Sequence, residues 1–222
     1  MTTANAKPGF TIRATTPEDF RATEHVTREA FWNVYVPGCD EHYLLKVMRN
    51  SDGFIPELDL VAIHNGEVVG NIVCDRAKLE TDTSETVKVL TLGPVSVLPE
   101  FQSKGIGSAL IEEVKKLAAD IGFEAILLYG DPNYYSRLGF IPAEALDIRT
   151  PGDMYAEPLQ VFELHESALT GKSGRYYENY VYEVDDQAVA EFDKAFPPKE
   201  EIEGLPSQLR FQELLQARRP RN

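Results

Sequence analysis

Residues 87–121 have the sequence VKVLTLGPVSVLPEFQSKGIGSALIEEVKKLAADI, which contains an apolar run, a short glycine-bearing loop and an amphipathic segment. Apolar side chains occur at nearly every position from Leu90 to Leu98, and this pattern predicts a strand covered on both faces. Pro94 lies inside the run. Because a proline cannot donate to a sheet ladder, we expect the chain there to be at an edge, bulged or splayed, with nearby backbone groups free to meet a ligand.

The segment after the loop predicts an amphipathic helix. Its apolar residues recur at steps of one, three and four, which places them on one helix face. These residues are Ile106, Leu110, Ile111, Val114, Leu117, Ala118 and Ile121. Gly122 is a suitable stop for the helix, because glycine readily takes the left-handed conformation that ends many helices.

The loop between strand and helix has the composition of a phosphate-binding turn. Gly105 and Gly107 flank one residue, so the backbone can turn sharply and come close to a ligand. The first helical turn leaves N–H groups unpaired, and together with the helix dipole they suit phosphate oxygens. Lys104 can add positive charge. The alternative is that the two glycines serve only a tight strand-to-helix connection.

Two better-known phosphate motifs are excluded. The loop contains no GxxxxGK[ST] pattern, and Leu110 replaces the third glycine of GxGxxG. The stretch instead resembles the signature of the GNAT superfamily of N-acetyltransferases, Q/R-x-x-G-x-G/A after a V-x-P-E-aromatic strand end. Here this is VLPEF at 97–101 followed by QSKGIG at 102–107.

The resemblance implies two sets of cofactor contacts. Backbone amides of the loop and of the helix start would hold the pyrophosphate of acetyl-CoA; these residues are Gln102, Ser103, Lys104, Gly105, Ile106, Gly107 and Ser108. Backbone amides at Val95, Ser96 and Val97 would hold the pantetheine arm and polarise the thioester carbonyl. Acetyl-CoA is therefore the expected cosubstrate, and no metal is expected.

Residues 130–140, GDPNYYSRLGF, form a second family-like element. GNAT proteins commonly have a short helix here that ends in aromatic-Tyr-x-K/R-x-G-F, and the resemblance places Tyr135 on the family tyrosine. A phenol near the leaving CoA sulfur can donate a proton to it, and with a reference pKa near 10 it is protonated at neutral pH. Tyr134 is expected only to pack. Asn133 would either cap the helix or bond the pantetheine arm.

Together these elements predict an α/β (α+β) chain with the GNAT acyl-CoA N-acyltransferase fold: a mixed, mostly antiparallel central sheet flanked by helices. A hairpin is expected at Asn65-Gly66 between strands 58–64 and 67–75. Closing strands are expected at 158–164 and 176–184. We predict a GNAT domain at 1–184 and a helical C-terminal extension at 185–222, packed on the domain. Within the family, the chain most resembles a subgroup with the motifs LGPV and GDPxYY, found here at 92–95 and 130–135. Proteins of this subgroup are usually described only as predicted acetyltransferases.

Composition limits the partners. Of 222 residues, 43% are hydrophobic and 26% charged, and the net charge is −14. This charge argues against nucleic acid or an anionic membrane and is compatible with a cationic amine, although it can also serve solubility alone. MTTANAKPGF has no apolar signal core, and Cys39 and Cys74 suggest no disulfide framework, so we expect a cytoplasmic protein. The histidines form no metal-ligand spacing; they are His25, His42, His64 and His165.

The base that deprotonates the amine is not evident. Many GNAT proteins carry a carboxylate on the central strand, whereas residues 90–98 contain no Asp, Glu or His. Glu100 follows the strand within the signature and is expected to be structural or solvated. His42 and Glu41 are weak candidates, and a water relay or an amine of low pKa would also suffice.

The sequence thus predicts transfer of the acetyl group of acetyl-CoA to an amine of a small molecule or protein. The alternative is a catalytically silent acyl-CoA-binding or protein-interaction module. The identity of the acceptor and the length of the acyl chain stay open. GNAT closing strands often mediate dimers, so the resemblance also allows a homodimer.

Overall fold

The computed structural model of the protein describes residues 9–221. The expectation of no apolar signal core falls mainly on residues 1–8, outside the described residues. The helices are α1 (Phe20–Phe31), α2 (Glu41–Met48), α3 (Ile106–Asp120), α4 (Pro132–Tyr135), α5 (Asp186–Asp193) and α6 (Pro206–Gln216). The strands are β1 (Thr11–Ala14), β2 (Leu60–His64), β3 (Glu67–Thr81), β4 (Thr86–Val97), β5 (Ala125–Tyr129), β6 (Ile141–Pro142), β7 (Ile148–Arg149), β8 (Met154–Ala156), β9 (Leu159–Glu163), β10 (Gly174–Tyr177) and β11 (Arg218–Pro220).

The main sheet has the strand order β1-β2-β3-β4-β5-β9-β6, and β10 pairs with both β3 and β7. Most neighbouring strands are antiparallel, and the parallel pairs are β4 with β5 and β7 with β10. The hairpin turn at Asn65-Gly66 joins β2 to β3. The predicted mixed, mostly antiparallel sheet flanked by helices is therefore confirmed.

The sheet opens beside β4. This strand pairs with β5 only from Val89 to Thr91, while on its other edge it stays paired with β3 as far as Val97. The register between β3 and β4 shifts between Ile72 and Cys74, opposite Gly93 and Pro94. The bulge expected from the proline is present, and the second half of β4 has one edge without a strand partner among residues 9–221.

Different helices pack on the two faces of the sheet. Leu90 and Leu92 of β4 pack into a core beneath α3. On the opposite face, where α1 and α2 lie, the hydroxyl of Ser96 donates to Oγ1 of Thr27 at 3.0 Å, and Thr27 donates to Oδ1 of Asn71 at 3.1 Å. Side chains therefore alternate along β4 between the α3 face and the α1 face, as strand geometry requires.

The predicted closing strands need correction. Residues 159–163 form β9 as expected, but the second strand ends at Tyr177 and does not continue to residue 184. The side chain of Asn179 accepts a hydrogen bond from the amide of Val181 and begins a short 3-10 turn, Tyr180–Tyr182. This local bond gives the backbone an alternative to the sheet ladder. The two strands also do not pair with each other, because β9 lies beside β5 and β10 beside β3.

Residues beyond 184 contact several earlier elements. Asp193 of α5 accepts hydrogen bonds from the buried guanidinium of Arg28, the shorter at 2.5 Å from Nε. The ring of Phe211 in α6 lies 4.9 Å from that of Tyr35. The chain then ends in β11, which pairs antiparallel with β8, so this segment is not wholly helical as predicted. The boundary at residue 184 stays a prediction.

Within residues 9–221, we find no helix that combines the length and apolar character needed to cross a lipid bilayer.

Candidate active site

The loop before α3 presents open backbone amides. Ser103 and Gly105 have left-handed φ values of 60° and 81°, and Gly105 is the N-cap of α3. The first intrahelical bond runs from Ala109 N–H to Gly105 O at 3.0 Å. Because a glycine cap has no side chain to accept a hydrogen bond, the amides of Ile106, Gly107 and Ser108 stay available to a ligand.

The rest of the loop is exposed. The side chains of Gln102, Ser103 and Lys104 all lie at the surface. Gln102 donates to the carbonyl of Val97 at 3.1 Å, which ties the loop back to the end of β4. The ammonium of Lys104 is 5.0 Å from the ring centroid of Phe101. A cation therefore lies near the open amides, as anion binding would favour.

Gly107 lies close to a tyrosine. A Cβ at this position would be 3.1 Å from the hydroxyl of Tyr134 and 3.7 Å from Cγ2 of Val97. The glycine thus lets the start of α3 approach both α4 and the end of β4. Loop, strand end and tyrosine helix therefore meet at one place, which the sequence motifs alone did not establish.

Tyr135 lies between aromatic rings. Its ring packs edge-on against Tyr134 at 5.0 Å and Phe140 at 5.6 Å, on the α3 face of the sheet. A Cβ at Gly130 would be 2.3 Å from the Tyr135 ring, so only glycine leaves room for it. Burial raises the pKa of Tyr135, with smaller contributions from Tyr35 and Tyr134. The phenol therefore stays protonated at neutral pH.

Asp131, rather than Asn133, caps the tyrosine helix. The Asp131 carboxylate accepts the amide of Asn133 at 2.9 Å, which leaves the exposed Asn133 at the second helical position. The capping role considered for Asn133 is therefore wrong. Arg210 of α6 donates to the same carboxylate at 3.1 Å and lowers the pKa of Asp131. Sequence analysis missed Arg210, because no local pattern links residues 79 positions apart.

The second half of β4 presents backbone groups at its unpaired edge, near the loop and the tyrosine helix. The side chains of Val95 and Val97 pack toward the core under α3, and that of Ser96 points to α1. None of the three side chains is therefore placed to hold a ligand at the open edge. Any contact from these residues at that edge must come from N–H and C=O groups.

Comparisons with known proteins identify this arrangement. The sequence model of the acetyltransferase (GNAT) domain matches residues 57–142, which include the loop, α3 and Tyr135. The chain therefore contains a region that matches the GNAT acetyltransferase domain and is similar to N-acetyltransferases. It is 29% identical over 132 residues to YhbS of Escherichia coli K12, an uncharacterized N-acetyltransferase, covering 58% of this chain and 77% of YhbS. Over 159 residues it is 27% identical to YjhQ of the same strain, another uncharacterized N-acetyltransferase, covering 71% of this chain and 81% of YjhQ.

Two solved GNAT structures have a similar fold. A GNAT family acetyltransferase from Brucella melitensis, in complex with acetyl-CoA, superposes with a TM-score of 0.63 at 26% identity, covering 78% of this chain and 98% of that one. The E. coli YhbS structure in complex with CoA has a TM-score of 0.70 at 24% identity, covering 82% of this chain and 97% of that one. The second likeness shows the fold alone.

The candidates for the base that were considered from the sequence differ in placement. Glu100 is exposed in a 3-10 turn after β4. Glu41 is half-buried at the first position of α2, where loss of water and the neighbouring Asp40 raise its pKa to about 8. Burial raises the pKa of Tyr35, and the charge of Glu41 adds to this effect.

His42 is enclosed behind the site. Its ring is fully buried, with Nδ1 3.5 Å from Sγ of Cys39 and Nε2 3.1 Å from Oδ1 of Asp193. The rings of Phe192 and Phe196 lie 5.4 and 5.2 Å away. Burial lowers the pKa of His42 to about 4, and the ring packs against the C-terminal segment instead of facing an acceptor.

This placement predicts a pH-dependent contribution of His42 to stability. An unfolded histidine titrates near 6.5, so the neutral buried form stabilises the protein fully above that pH and loses its effect as the pH falls toward 4. We expect a loss of ~3 kcal/mol from this residue over that window. His42→Gln should flatten the difference between denaturant unfolding at pH 7 and pH 5. His25→Gln, at an exposed position on α1, is the matched control and should retain the wild-type difference.

Sequence analysis did not single out Glu178, which follows β10. No hydrogen bond or ion pair engages its carboxylate within residues 9–221, and burial raises its pKa to about 7. Its charge also raises the pKa of Tyr129, Tyr176 and Tyr182. The available signal was a lone carboxylate in the aromatic run YYENYVY at 176–182.

The cysteines offer no covalent route. Cys39 and Cys74 are both buried, and burial raises the pKa of each thiol, which disfavours the nucleophilic thiolate. Nor do the residues from 9 to 221 contain a cluster of His, Cys, Asp and Glu suited to a metal ion.

Proposed function

We propose that the protein transfers the acetyl group of acetyl-CoA directly to an amine, and that the amides from Gln102 to Ser108 hold the diphosphate. One observation carries the proposal: the start of α3, where no side chain caps the backbone amides, lies beside the unpaired edge of β4 and the tyrosine helix. Backbone donors at a helix N-terminus suit phosphate oxygens, and Lys104 supplies a nearby cation. The similar Brucella structure contains acetyl-CoA.

The open edge of β4 would hold the rest of the cofactor. Amides at Val95, Ser96 and Val97 would bind the pantetheine arm and polarise the thioester carbonyl, which stabilises the charge that develops on its oxygen. Asn133 is exposed on the tyrosine helix and would bond the arm. Tyr135 would protonate the departing thiolate, because its raised pKa keeps it in the phenol form.

The partners are proposed on charge and composition. A net charge of −14 favours a cationic amine acceptor over nucleic acid or an anionic membrane. Two buried free cysteines suit a reducing compartment, and we propose the cytoplasm. A homodimer through the closing strands is also proposed, and light scattering of the purified protein tests it.

Calorimetric titration of the full chain with acetyl-CoA, CoA and NAD, each separately, tests the function. We expect acetyl-CoA to bind with a Kd between about 1 μM and 1 mM, and NAD not to bind. CoA release should then be measured with tyramine, spermidine and a lysine-containing peptide. Failure to bind either CoA species would overturn the proposal, whereas binding without turnover of any acceptor would indicate a silent acyl-CoA-binding module.

A further inference from the structure

We propose that Glu178 is the general base that takes the proton of the attacking amine. This inference rests on the acetyl transfer proposed above. It assigns the role that central-strand carboxylates have in many GNAT proteins to a residue on a different segment, in a chain whose β4 has no acid from Leu90 to Leu98.

The neighbours of Glu178 place it where β4 and β5 separate. Tyr176 is hydrogen-bonded at 2.5 Å to Thr91, the last β4 residue that pairs with β5. Tyr182 donates to the carbonyl of Gly93 at 3.0 Å, two residues before Val95. Tyr129, the last residue of β5, packs 6.1 Å from Tyr176. Glu178 directly follows β10, two residues after Tyr176 and four before Tyr182, so the chain places it at this opening. Its charge adds to the effect of burial in raising the pKa of all three tyrosines.

The proposed acid and base lie on opposite faces of the sheet. Tyr135 packs with the core under α3. Tyr129 and Tyr176 pack instead with the core on the other face, which contains Val89 and Leu127. A thioester held in the gap beside β4 would therefore meet a proton acceptor on one face and a proton donor on the other.

With Glu178 as proton acceptor and Tyr135 as proton donor, every proton in the reaction is accounted for. An amine that arrives protonated first gives a proton to Glu178, directly or through one water. The neutral nitrogen then forms a bond to the carbonyl carbon and loses its second proton to solvent, and the carbon–sulfur bond breaks. The thiolate takes the proton of Tyr135. Glu178 finally returns its proton through solvent to the tyrosinate, which regenerates both groups with an amide and CoA as products.

The electrostatic surroundings suit the role. Burial raises the pKa of Glu178 to about 7, so a large fraction is ionised at neutral pH and its conjugate acid can release a proton. The titratable groups around it are Tyr129 on β5, Tyr176 on β10 and Tyr182 on the 3-10 turn; Arg218 on β11 also acts on Tyr129, and Asp75 on β3 acts on Tyr182. No cation in the described part of the chain pairs with Glu178.

Two of the other carboxylates with raised pKa values, those with the large shifts, fit less well. Asp75 is fully buried and accepts the amide of Arg76 at 2.9 Å, and a Cβ on Gly53 would be only 2.0 Å from its oxygen, so no acceptor can reach it. Glu41 lies at the start of α2, where burial and the neighbouring Asp40 raise its pKa to about 8, so it is mostly protonated at neutral pH.

Glu178→Gln tests the proposal, with Glu183→Gln as a matched control at an exposed position of the same segment. CoA release is measured against pH with the best acceptor among tyramine, spermidine and a lysine-containing peptide, or with water if none is acetylated. We expect Glu178→Gln to bind acetyl-CoA like the wild type but to lose kcat/KM by about 100-fold or more at pH 7. The acidic limb of the pH profile, centred near 7, should disappear.

Three results would overturn the assignment. Glu178→Gln could keep the wild-type pH dependence, or Glu183→Gln could lose as much kcat/KM as Glu178→Gln. The acidic limb could also disappear in Glu41→Gln instead. Absence of acetyl-CoA binding to the wild type would instead overturn the proposed function. If Glu178→Gln does not fold, Glu178→Asp decides: its shorter carboxylate should keep the acidic limb at a lower kcat, and an unchanged kcat would contradict the proposal.

Discussion

Replacing Gly107 with aspartate should nearly abolish acetyl-CoA binding while leaving the free protein at least as stable as the wild type. The new carboxylate would stand beside the proposed diphosphate, and its Cβ would approach the Tyr134 hydroxyl, which lies 3.1 Å away. Like charges in contact should weaken binding by about 2–4 kcal/mol, or roughly 30- to 1,000-fold in Kd. Calorimetric titration measures this loss.

The stability of the same variant should move in the opposite direction. Gly107 is the second residue of α3, where a negative side chain interacts favourably with the helix dipole by about 0.3–1 kcal/mol. Gly107→Ala is the matched control, since it adds the Cβ without the charge and meets only the far end of a tyrosine. Unchanged affinity in Gly107→Asp would show that the loop does not hold the diphosphate.

Tyr135→Phe should lower kcat by about 10²- to 10⁴-fold, the usual contribution of a positioned proton donor, and leave acetyl-CoA affinity unchanged. The substitution keeps the ring packing against Tyr134 and Phe140 and removes only the hydroxyl. Steady-state CoA release at saturating acetyl-CoA measures the loss. The proposed acid role predicts a kcat effect, whereas a packing role would appear in thermal stability.

Tyr134→Phe separates the two neighbouring tyrosines. Its hydroxyl faces the start of α3 rather than the core, so we expect a change in acetyl-CoA affinity with kcat retained. An acetyl thioester whose thiol leaves more easily than CoA gives a second measure for Tyr135→Phe. With such a substrate, a proton donor to the thiolate matters less, so the loss of kcat should be smaller. If Tyr135→Phe turns over every accepted amine at the wild-type rate, Tyr135 has no part in proton transfer.

The sequence was most informative for structural features that depend on residues close together in the chain. The apolar run, the proline and the helix periodicity of 87–121 predicted β4, its bulge and α3, because each feature depends on near neighbours. The Asn65-Gly66 turn was equally local. The phosphate-binding interpretation of Gly105 and Gly107 combined such local geometry with the family resemblance.

Contacts between distant segments were not predictable in this way. Residues 176–184 have strand-like composition, yet Asn179 caps a turn that ends the strand at Tyr177. The link from Arg210 to Asp131 and the position of Glu178 near Gly93 depend on how the whole chain packs. His42 looked available in the sequence, but α5 buries it against Asp193.

The alternation of β4 side chains bears on the effect of substitutions elsewhere in the chain. Val95 and Val97 pack against the core on one face and Ser96 is bonded to Thr27 on the other, so the open edge of β4 presents backbone groups rather than side chains. The family match ends at residue 142, whereas Glu41, Glu178 and Arg210 lie outside it. Substitutions in these outer segments would therefore change the surroundings of the open edge without changing β4 itself.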